Sequence, residues 1–110
     1  MIEFAMSVPP TANHMFFNVK GRGRVKTPEY AGWREHNAWF LKSLRLGSVE
    51  GDVRVDIELP INRRRDIDNA IKPLLDCLQA SGIVQNDRQV RALWVQETDR
   101  ADVLVKVTEL

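Results

Sequence analysis

The sequence predicts an α+β fold: one small domain over residues 1–110, with a mixed, largely antiparallel sheet and two main helices. Three observations carry this prediction. Several segments alternate apolar and polar residues, as half-buried strands do, and two longer segments repeat apolar residues at helical spacing. These segments follow one another as strands, helix, strand, helix and two strands. A chain of 110 residues is also the usual size of a single domain.

The first part of the chain predicts two short strands and a loop. Residues 1–8 are rich in apolar side chains and end at Pro9 and Pro10, so they predict a strand that stops there. The stretch NHMFFNV, residues 13–19, predicts a second short strand. Segment 20–26, KGRGRVK, combines glycine with four cations and predicts a mobile loop.

The first helix is predicted from residues that favour the start and the end of a helix. Thr27 can cap the helix, Pro28 suits its first position, and Gly47 suits its end. A stripe of aromatic residues and leucines recurs at helical spacing and is predicted to face the core rather than DNA bases. This stripe consists of Tyr30, Trp33, Phe40, Leu41 and Leu44.

Three further strands are predicted from alternation. Residues 53–59, VRVDIEL, place their apolar side chains on one side and their charges on the other, which is typical of a half-buried strand. Pro60 is expected to end this strand. Segments 90–96 and 102–109 have similar character and are predicted to be the last two strands.

The second helix follows the middle strand, and Gly82 is placed to end it. Pro73 removes a backbone donor, so the first regular turn is expected near Lys72 rather than at Asn69. The apolar residues that define its buried face are Ile71, Leu74, Leu75 and Leu78.

The charge balance excludes a bulk polycation, because the net charge is only +1. Binding to nucleic acid would have to come from local clusters of cations. Two such clusters are present. They are the basic segment Lys20, Arg22, Arg24 and Lys26, and the run Arg63, Arg64 and Arg65.

The cysteine content and the hydropathy of the sequence exclude several further classes of protein. Cys77 is the one cysteine, so a disulfide framework and a cysteine zinc site are excluded, and it is predicted to be an inert buried thiol. The first residues lack the features of a signal peptide, and no apolar run approaches the roughly 20 residues of a membrane span. We therefore expect a cytoplasmic protein with no membrane association.

The stretch RRRDIDNAIK, residues 63–72, concentrates charge of both signs at the start of the second helix. Asp66 and Asp68 share a face if the segment is extended, whereas at a helix entrance Asp68 could be a capping residue. If the chain doubles back after the helix, Asp87 joins them and three carboxylates converge. Hard oxygen ligands of this kind select Mg²⁺ or Mn²⁺ over zinc.

Two interpretations of Lys72 remain open. It follows Asp68 by four positions, so the pair could be an ordinary ion pair on a helix surface. Alternatively, its ammonium could lie beside a scissile phosphate and stabilise the charge that develops in the transition state. One lysine can serve both a carboxylate and a phosphate.

The segment RRRDIDNAIKPLLDCLQASGIVQNDRQV resembles the core of the RusA family of Holliday junction resolvases, small dimeric endonucleases common in bacterial prophages. The shared pattern is a basic segment, Asp-x-Asp-Asn, a lysine, an amphipathic helix, and a downstream Asp before a strand. VPPTANHMF and EYAGWRE are similar to the family as well, so the resemblance covers nearly the whole chain. One departure is Asn86-Asp87, where some relatives have paired acids; it leaves Asp87 as the candidate ligand there.

The resemblance implies that Asp66, Asp68 and Asp87 are the metal-binding catalytic acids and that Lys72 is the essential lysine. The implied reaction is Mg²⁺-dependent hydrolysis, with Mn²⁺ able to substitute, of symmetric strands of a four-way DNA junction. The implied protein is a homodimer of bacterial or phage origin. The alternative is a catalytically silent module that binds branched DNA with the same fold.

The expected DNA contacts are the two clusters of cations and two asparagines. Asn69 follows the paired aspartates directly, and Asn13 could contact the backbone of DNA or form a turn after the two prolines. The 20–26 segment alone could equally be a solvated basic loop. The full set consists of Arg63, Arg64, Arg65, Lys20, Arg22, Arg24, Lys26, Asn13 and Asn69.

Overall fold

The computed structural model describes residues 1–11 and 14–110. Its sheet has four strands in the order β1-β6-β4-β5, and a separate two-stranded sheet pairs β2 with β3. The elements are β1 (Ile2–Met6), β2 (Phe16–Val19), β3 (Gly23–Lys26), α1 (Pro28–Ser43), β4 (Val53–Pro60), α2 (Ile71–Ala80), β5 (Val90–Thr98) and β6 (Val103–Glu109). The predicted α+β class with a mixed sheet and two helices is confirmed.

The main sheet is antiparallel except at one pair. β6 pairs antiparallel with both β1 and β4, whereas β4 and β5 run parallel. A parallel pair needs a crossover connection, and α2 supplies it between β4 and β5. This crossover places the candidate site, because the segment before α2 contains Asp66 and Asp68 and the segment after it contains Asp87.

One face of the sheet forms the core. The apolar residues of β4 are fully buried, as the alternation predicts, and they pack with valines of β6 and with leucines of both helices. Cys77 belongs to the same cluster and is 1 % exposed. The predicted burial of this cysteine is confirmed, and burial raises the pKa of its thiol to about 12, which disfavours the reactive thiolate.

The basic segment 20–26 is not a loop throughout, contrary to the sequence prediction. Its second half is β3, which pairs with β2 as a hairpin. Gly21 and Gly23 adopt positive φ angles of 80° and 72°, which allow the tight turn between the strands. The guanidinium of Arg24 lies 3.8 Å from the centroid of the Phe16 ring and covers the hairpin.

The first helix begins as predicted but ends earlier. Thr27 is its N-cap and accepts a hydrogen bond from the Tyr30 backbone N at 3.1 Å, with Pro28 in the first turn. The helix ends at Ser43, four residues before Gly47, because Arg45 already adopts a positive φ of 51°. The predicted core stripe is therefore shorter than expected.

Leu44 lies outside that stripe, with 41 % of its surface exposed. The four earlier residues of the stripe are buried or packed against the core, as predicted. None of the helices among the described residues has the length and apolar character that a membrane span requires.

Candidate catalytic surface

The turn after β4 is anchored before the aspartates begin. The backbone N of Asn62 donates to Glu97 Oε2 at 3.0 Å, which ties the turn to the end of β5. Asn62 Oδ1 accepts from the backbone N of Arg64 at 3.0 Å, and its carbonyl accepts from the N of Arg65 at 3.2 Å. Asp66 follows this turn directly.

A 3₁₀ helix at Ile67–Ala70 leads straight into α2, which begins at Ile71. Pro73 is therefore in the first turn of α2, where a proline is tolerated. The expectation that regular helix begins near Lys72 is confirmed. The 3₁₀ helix also fixes the direction of the two aspartates.

The capping interpretation of Asp68 is wrong. Asp68 is the second residue of the 3₁₀ helix, and the N-cap position of α2 is occupied by Ala70, without a side-chain hydrogen bond. Asp66 occupies the N-cap position of the 3₁₀ helix, but its side chain makes no capping bond either. Within residues 1–11 and 14–110, neither carboxylate accepts a side-chain hydrogen bond or forms an ion pair, so their oxygens are available.

The two aspartates open onto different clefts. Asp66 lines one that we call the arginine cleft, and Asp68 lines one that we call the lysine cleft; Asn69 borders both. The arginine cleft is formed by Thr11, His14, Asn62, Arg64, Arg65, Asp66 and Asn69. The lysine cleft is formed by Met15, Phe16, Arg24, Lys26, Tyr30, Arg34, Asp68, Asn69, Lys72, Pro73 and Asp76.

Lys72 links α2 to the segment before β5. Its Nζ lies 2.9 Å from Asp87 Oδ2 and 3.1 Å from Asp76 Oδ1. Of the two interpretations left open, the helix-surface pair with Asp68 is wrong, because Asp68 precedes the α-helix and the partner one turn later is Asp76. The hydrogen bond to Asp87 is the main cause that raises the pKa of Lys72, and the bond to Asp76 adds to it.

The same contact acts on the carboxylate. The hydrogen bond from Lys72, together with its charge, holds the pKa of Asp87 below its ordinary value. Both groups are thus charged at neutral pH.

Asp87 reaches Lys72 because the chain doubles back after α2. A 3₁₀ helix at Asp87–Gln89 is closed by a capping box, in which Asn86 and Gln89 bind each other's backbone. The Nε2 of Gln89 donates to the carbonyls of Val49 and Gly51 at 2.8 and 2.9 Å, which fastens this turn to the loop before β4. Asn86 therefore has a capping role, which agrees with Asp87 as the candidate ligand of this pair.

The structure brings Asp87 to Lys72 but does not gather all three aspartates. In the part of the chain that the structure describes, no three acidic, histidine or cysteine side chains are grouped so that they could hold a metal ion. The chemistry of the donors still fits a hard cation, since Asp66 and Asp68 offer free carboxylate oxygens. Their role as metal ligands stays a prediction.

The predicted DNA contacts divide into two groups. Arg64, Arg24, Lys26 and Asn69 line the clefts, as does Arg65. Arg65 is only 7 % exposed, however, and its Nη2 donates to the carbonyl of Pro60 at 3.2 Å, so this side chain braces the turn.

The second group lies away from the clefts. Lys20 and Arg22 are exposed at the hairpin turn, and Arg63 is exposed without lining either cleft. Asn13 lies outside the described residues. A role of these residues in binding DNA stays a prediction.

Sequence reasoning missed three residues of the lysine cleft. Tyr30 was assigned to the core, and it is 2 % exposed, but it also lines the cleft. Arg34 follows it by one helical turn, with its guanidinium 5.9 Å from the Tyr30 ring centroid. The i,i+4 spacing from Tyr30 could have indicated Arg34, and the same spacing from Lys72 could have indicated Asp76.

The fold and this surface define a small mixed α+β domain in which acidic residues and an ion-paired lysine side chain lie beside cation-lined clefts. A family model described as Endodeoxyribonuclease RusA matches residues 6–108. The chain is 29 % identical to a crossover junction endodeoxyribonuclease RusA of Aquifex aeolicus (strain VF5), over 96 % of this chain and 90 % of that protein. It is 31 % identical to the Escherichia coli (strain K12) protein of the same name, over 93 % and 89 %.

A phage protein extends this set. The crossover junction endodeoxyribonuclease of Enterobacteria phage HK97 is 25 % identical over 98 % of this chain and 94 % of its own length. The chain belongs to the RusA family. The resemblance read from its sequence is thereby confirmed.

Proposed function

We propose that this protein is an endodeoxyribonuclease that resolves four-way DNA junctions by hydrolysing one phosphodiester in each of two symmetric strands. The names of its relatives support the substrate class. The observation that carries the proposal is the combination of two unpartnered carboxylates, Asp66 and Asp68, with the Lys72–Asp87 ion pair beside cation-lined clefts. A solvated helix surface needs no such arrangement.

The proposed cofactor is Mg²⁺, with Mn²⁺ able to substitute, and the residues that would hold it are Asp66, Asp68 and Asp87. When bound, the ion would supply a water of lowered pKa and polarise the phosphate. Carboxylates suit this ion because their hard oxygens are the ligands it prefers.

Lys72 has a separate part in this mechanism. Its ammonium is protonated at neutral pH, as that of an ordinary lysine is, and its position in the lysine cleft lets it approach a phosphate oxygen. A fixed positive charge there stabilises the negative charge that develops as the phosphodiester is attacked. Asp87 neutralises this charge until DNA arrives.

The cations of the clefts supply the affinity for DNA in this proposal. Arg64 lines the arginine cleft, and Arg24, Lys26 and Arg34 line the lysine cleft. Because the net charge is only +1, attraction must be local to this surface. Release of counterions from the phosphates makes such binding strongly dependent on salt.

We also propose that the protein acts as a cytoplasmic homodimer. A four-way junction has two-fold symmetry, and a two-fold dimer presents one site to each of two equivalent strands. A chain of this size has a modest core, and association adds buried surface to it.

The second candidate is a silent module that binds branched DNA without cleaving it. One observation favours it: the described part of a single chain does not group three metal-binding side chains. The test is incubation with a synthetic four-way junction in the presence of Mg²⁺, Mn²⁺ or a chelator, with linear duplex of the same sequence as control. Metal-dependent symmetric incision supports the enzyme, whereas tight binding without incision in either metal supports the silent module.

A further inference from the structure

The ammonium of Lys72 lies between two carboxylates, and the proposed mechanism uses only one of them. Asp87 is a candidate metal ligand, but Asp76 has no role in that scheme, although its Oδ1 lies only 3.1 Å from Lys72 Nζ. Asp76 lines the lysine cleft together with Asp68 and Lys72. Its side chain is 21 % exposed, against 36 % for Asp87 and 68 % for Lys72.

Helix stability explains this pair poorly. Lys72 is the second residue of α2, where the helix dipole disfavours a cation, and Asp76 follows it one turn later. An acid that precedes a lysine by four positions stabilises a helix better than this reversed order does. Helix stability is therefore a weak reason for the pair, and both of its residues line the lysine cleft.

Asp87 holds Lys72 through one oxygen, Oδ2, which lies 2.9 Å from Nζ. A cation that binds this carboxylate, even through Oδ1, offsets the negative charge that attracts the ammonium, and the hold on the lysine weakens. The lysine side chain is long, mostly exposed and rich in rotamers, and it would then lose its position over the cleft. Asp76 is fixed on the same helix one turn away and remains within reach.

We propose that Asp76 is a positioning residue that holds the Lys72 ammonium over the lysine cleft when Asp87 is engaged elsewhere. This inference rests on the proposed nuclease function. Asp76 itself touches neither DNA nor metal in this scheme; it acts through Lys72. Its carboxylate lets the chain keep a directed positive charge while Asp87 is released.

The kinetic test uses the charge-removing variant Asp76→Asn. We expect kcat for junction cleavage to fall by about tenfold, with KM unchanged, because the lost interaction serves the transition state. Asp76→Glu should recover most of the rate. In a Lys72→Ala background, Asp76→Asn should cause no further loss, whereas multiplicative losses would overturn the proposal, since coupled residues do not act independently.

Asp56→Asn is the matched control. Asp56 has the same side-chain exposure of 21 % and is also ion-paired, with its Oδ1 2.8 Å from Arg54 Nη2, but it lies on the open face of the sheet outside both clefts. We expect this variant to cleave at the wild-type rate. A loss equal to that of Asp76→Asn would mean that any surface ion pair has the same effect, and would overturn the proposal.

A second measurement does not depend on cleavage. The ζ-ammonium of Lys72 can be followed by ¹H–¹⁵N NMR at mildly acidic pH and low temperature, in metal-free protein. We expect its signal to persist in Asp87→Asn and to disappear when Asp76→Asn is added. Disappearance in Asp87→Asn alone would overturn the proposal. A wild-type protein that cleaves no junction would instead refute the proposed function, while the ammonium signal still decides the contact.

Discussion

At the scale of single residues, the site depends on which carboxylates are free and which are bound. Asp66 and Asp68 have no side-chain partner in the described part of the chain, whereas Asp87 is held by Lys72 at 2.9 Å. The sequence could not separate these states, because all three are aspartates near a helix end. The structure separates them, and for Asp87 it adds a further measurement, the pKa of the paired carboxyl.

Asp68→Asn should leave the protein stable but abolish cleavage. Asparagine keeps the size of the side chain and one oxygen, but it lacks the negative charge that holds a hard cation. It also removes repulsion toward phosphates, so metal-free binding to a junction should be retained or tightened. A melting curve, a gel shift with chelator and a cleavage assay with Mg²⁺ test this together, and a fully active variant would contradict the assignment. Asp66→Asn and Asp87→Asn should abolish cleavage as well, but Asp87→Asn also loses the ion pair with Lys72.

Lys72→Ala should lower the rate of cleavage by about 100-fold while most affinity for the junction remains. A charge directed at the transition state contributes more to rate than to ground-state binding. Single-turnover cleavage and a gel shift measure the two effects separately. A parallel loss of affinity and rate would place Lys72 among the ordinary phosphate contacts instead.

Lys72→Gln should raise the pKa of Asp87 toward its ordinary value, because the bond to Lys72 is the main cause that lowers it. A carboxyl whose pKa is lower in the folded state adds stability above its unfolded pKa, and this stability is lost as pH falls through the folded value. The difference in Tm between wild type and Asp87→Asn should therefore vanish in acid. Titration of the carboxyl ¹³C signal checks the shift directly, and an unchanged midpoint in Lys72→Gln would contradict it.

At the scale of elements, strong periodicity made the sheet strands and α2 predictable. The alternation in β4 reflects one buried face, and the spacing in α2 reflects one buried stripe. The hairpin of β2 and β3 was missed because a Gly-rich, cationic segment has little pattern of its own; its pairing depends on β2 and on the stacking of Arg24 over Phe16. The early end of α1 depends on the backbone of Arg45, which no pattern in the sequence marks.

The candidate site, too, could be predicted only in part from the sequence. The cluster at 63–72 was visible as a motif, and a helix-surface pair of Lys72 with Asp68 was one of two interpretations that the spacing left open. The 3₁₀ helix at Ile67–Ala70 has three residues per turn instead of 3.6, so Asp68 and Lys72 are not four residues apart on one α-helix. The contact with Asp87 spans 15 positions and depends on the turn after α2, which sequence spacing does not determine.

The two arginines of the turn after β4 should differ in their effect. Arg64→Ala should reduce the slope of log K against log salt by roughly one, because one phosphate contact is lost. Arg65→Ala should mainly destabilise the fold, by about 1 kcal/mol, because its hydrogen bond to the Pro60 carbonyl is lost. Salt titrations and melting curves distinguish the two, with Arg100→Ala as control, since Arg100 is paired with Asp102 outside both clefts. Equal salt slopes for all three variants would mean that DNA does not contact Arg64 and binds at another surface.

At the scale of the whole molecule, one chain presents one set of acids, whereas resolution of a junction requires two incisions. The proposed dimer satisfies this requirement because a two-fold axis places equivalent sites on equivalent strands. Sedimentation at micromolar concentration should therefore show a dimer, and a monomer under those conditions would contradict the proposal.

Mixed dimers give the sharper test. If wild-type and Asp68→Asn chains are unfolded together and refolded in equal amounts, about half of the dimers should contain one active site, and about one quarter should contain two. Mixed dimers should nick one strand and leave the junction joined, so nicked junctions should accumulate that neither pure protein produces to that extent. The yield of resolved product should fall to about one quarter at limiting protein. A yield near one half, without nicked intermediates, would mean that each chain makes both incisions independently, and the symmetric-dimer mechanism would be wrong.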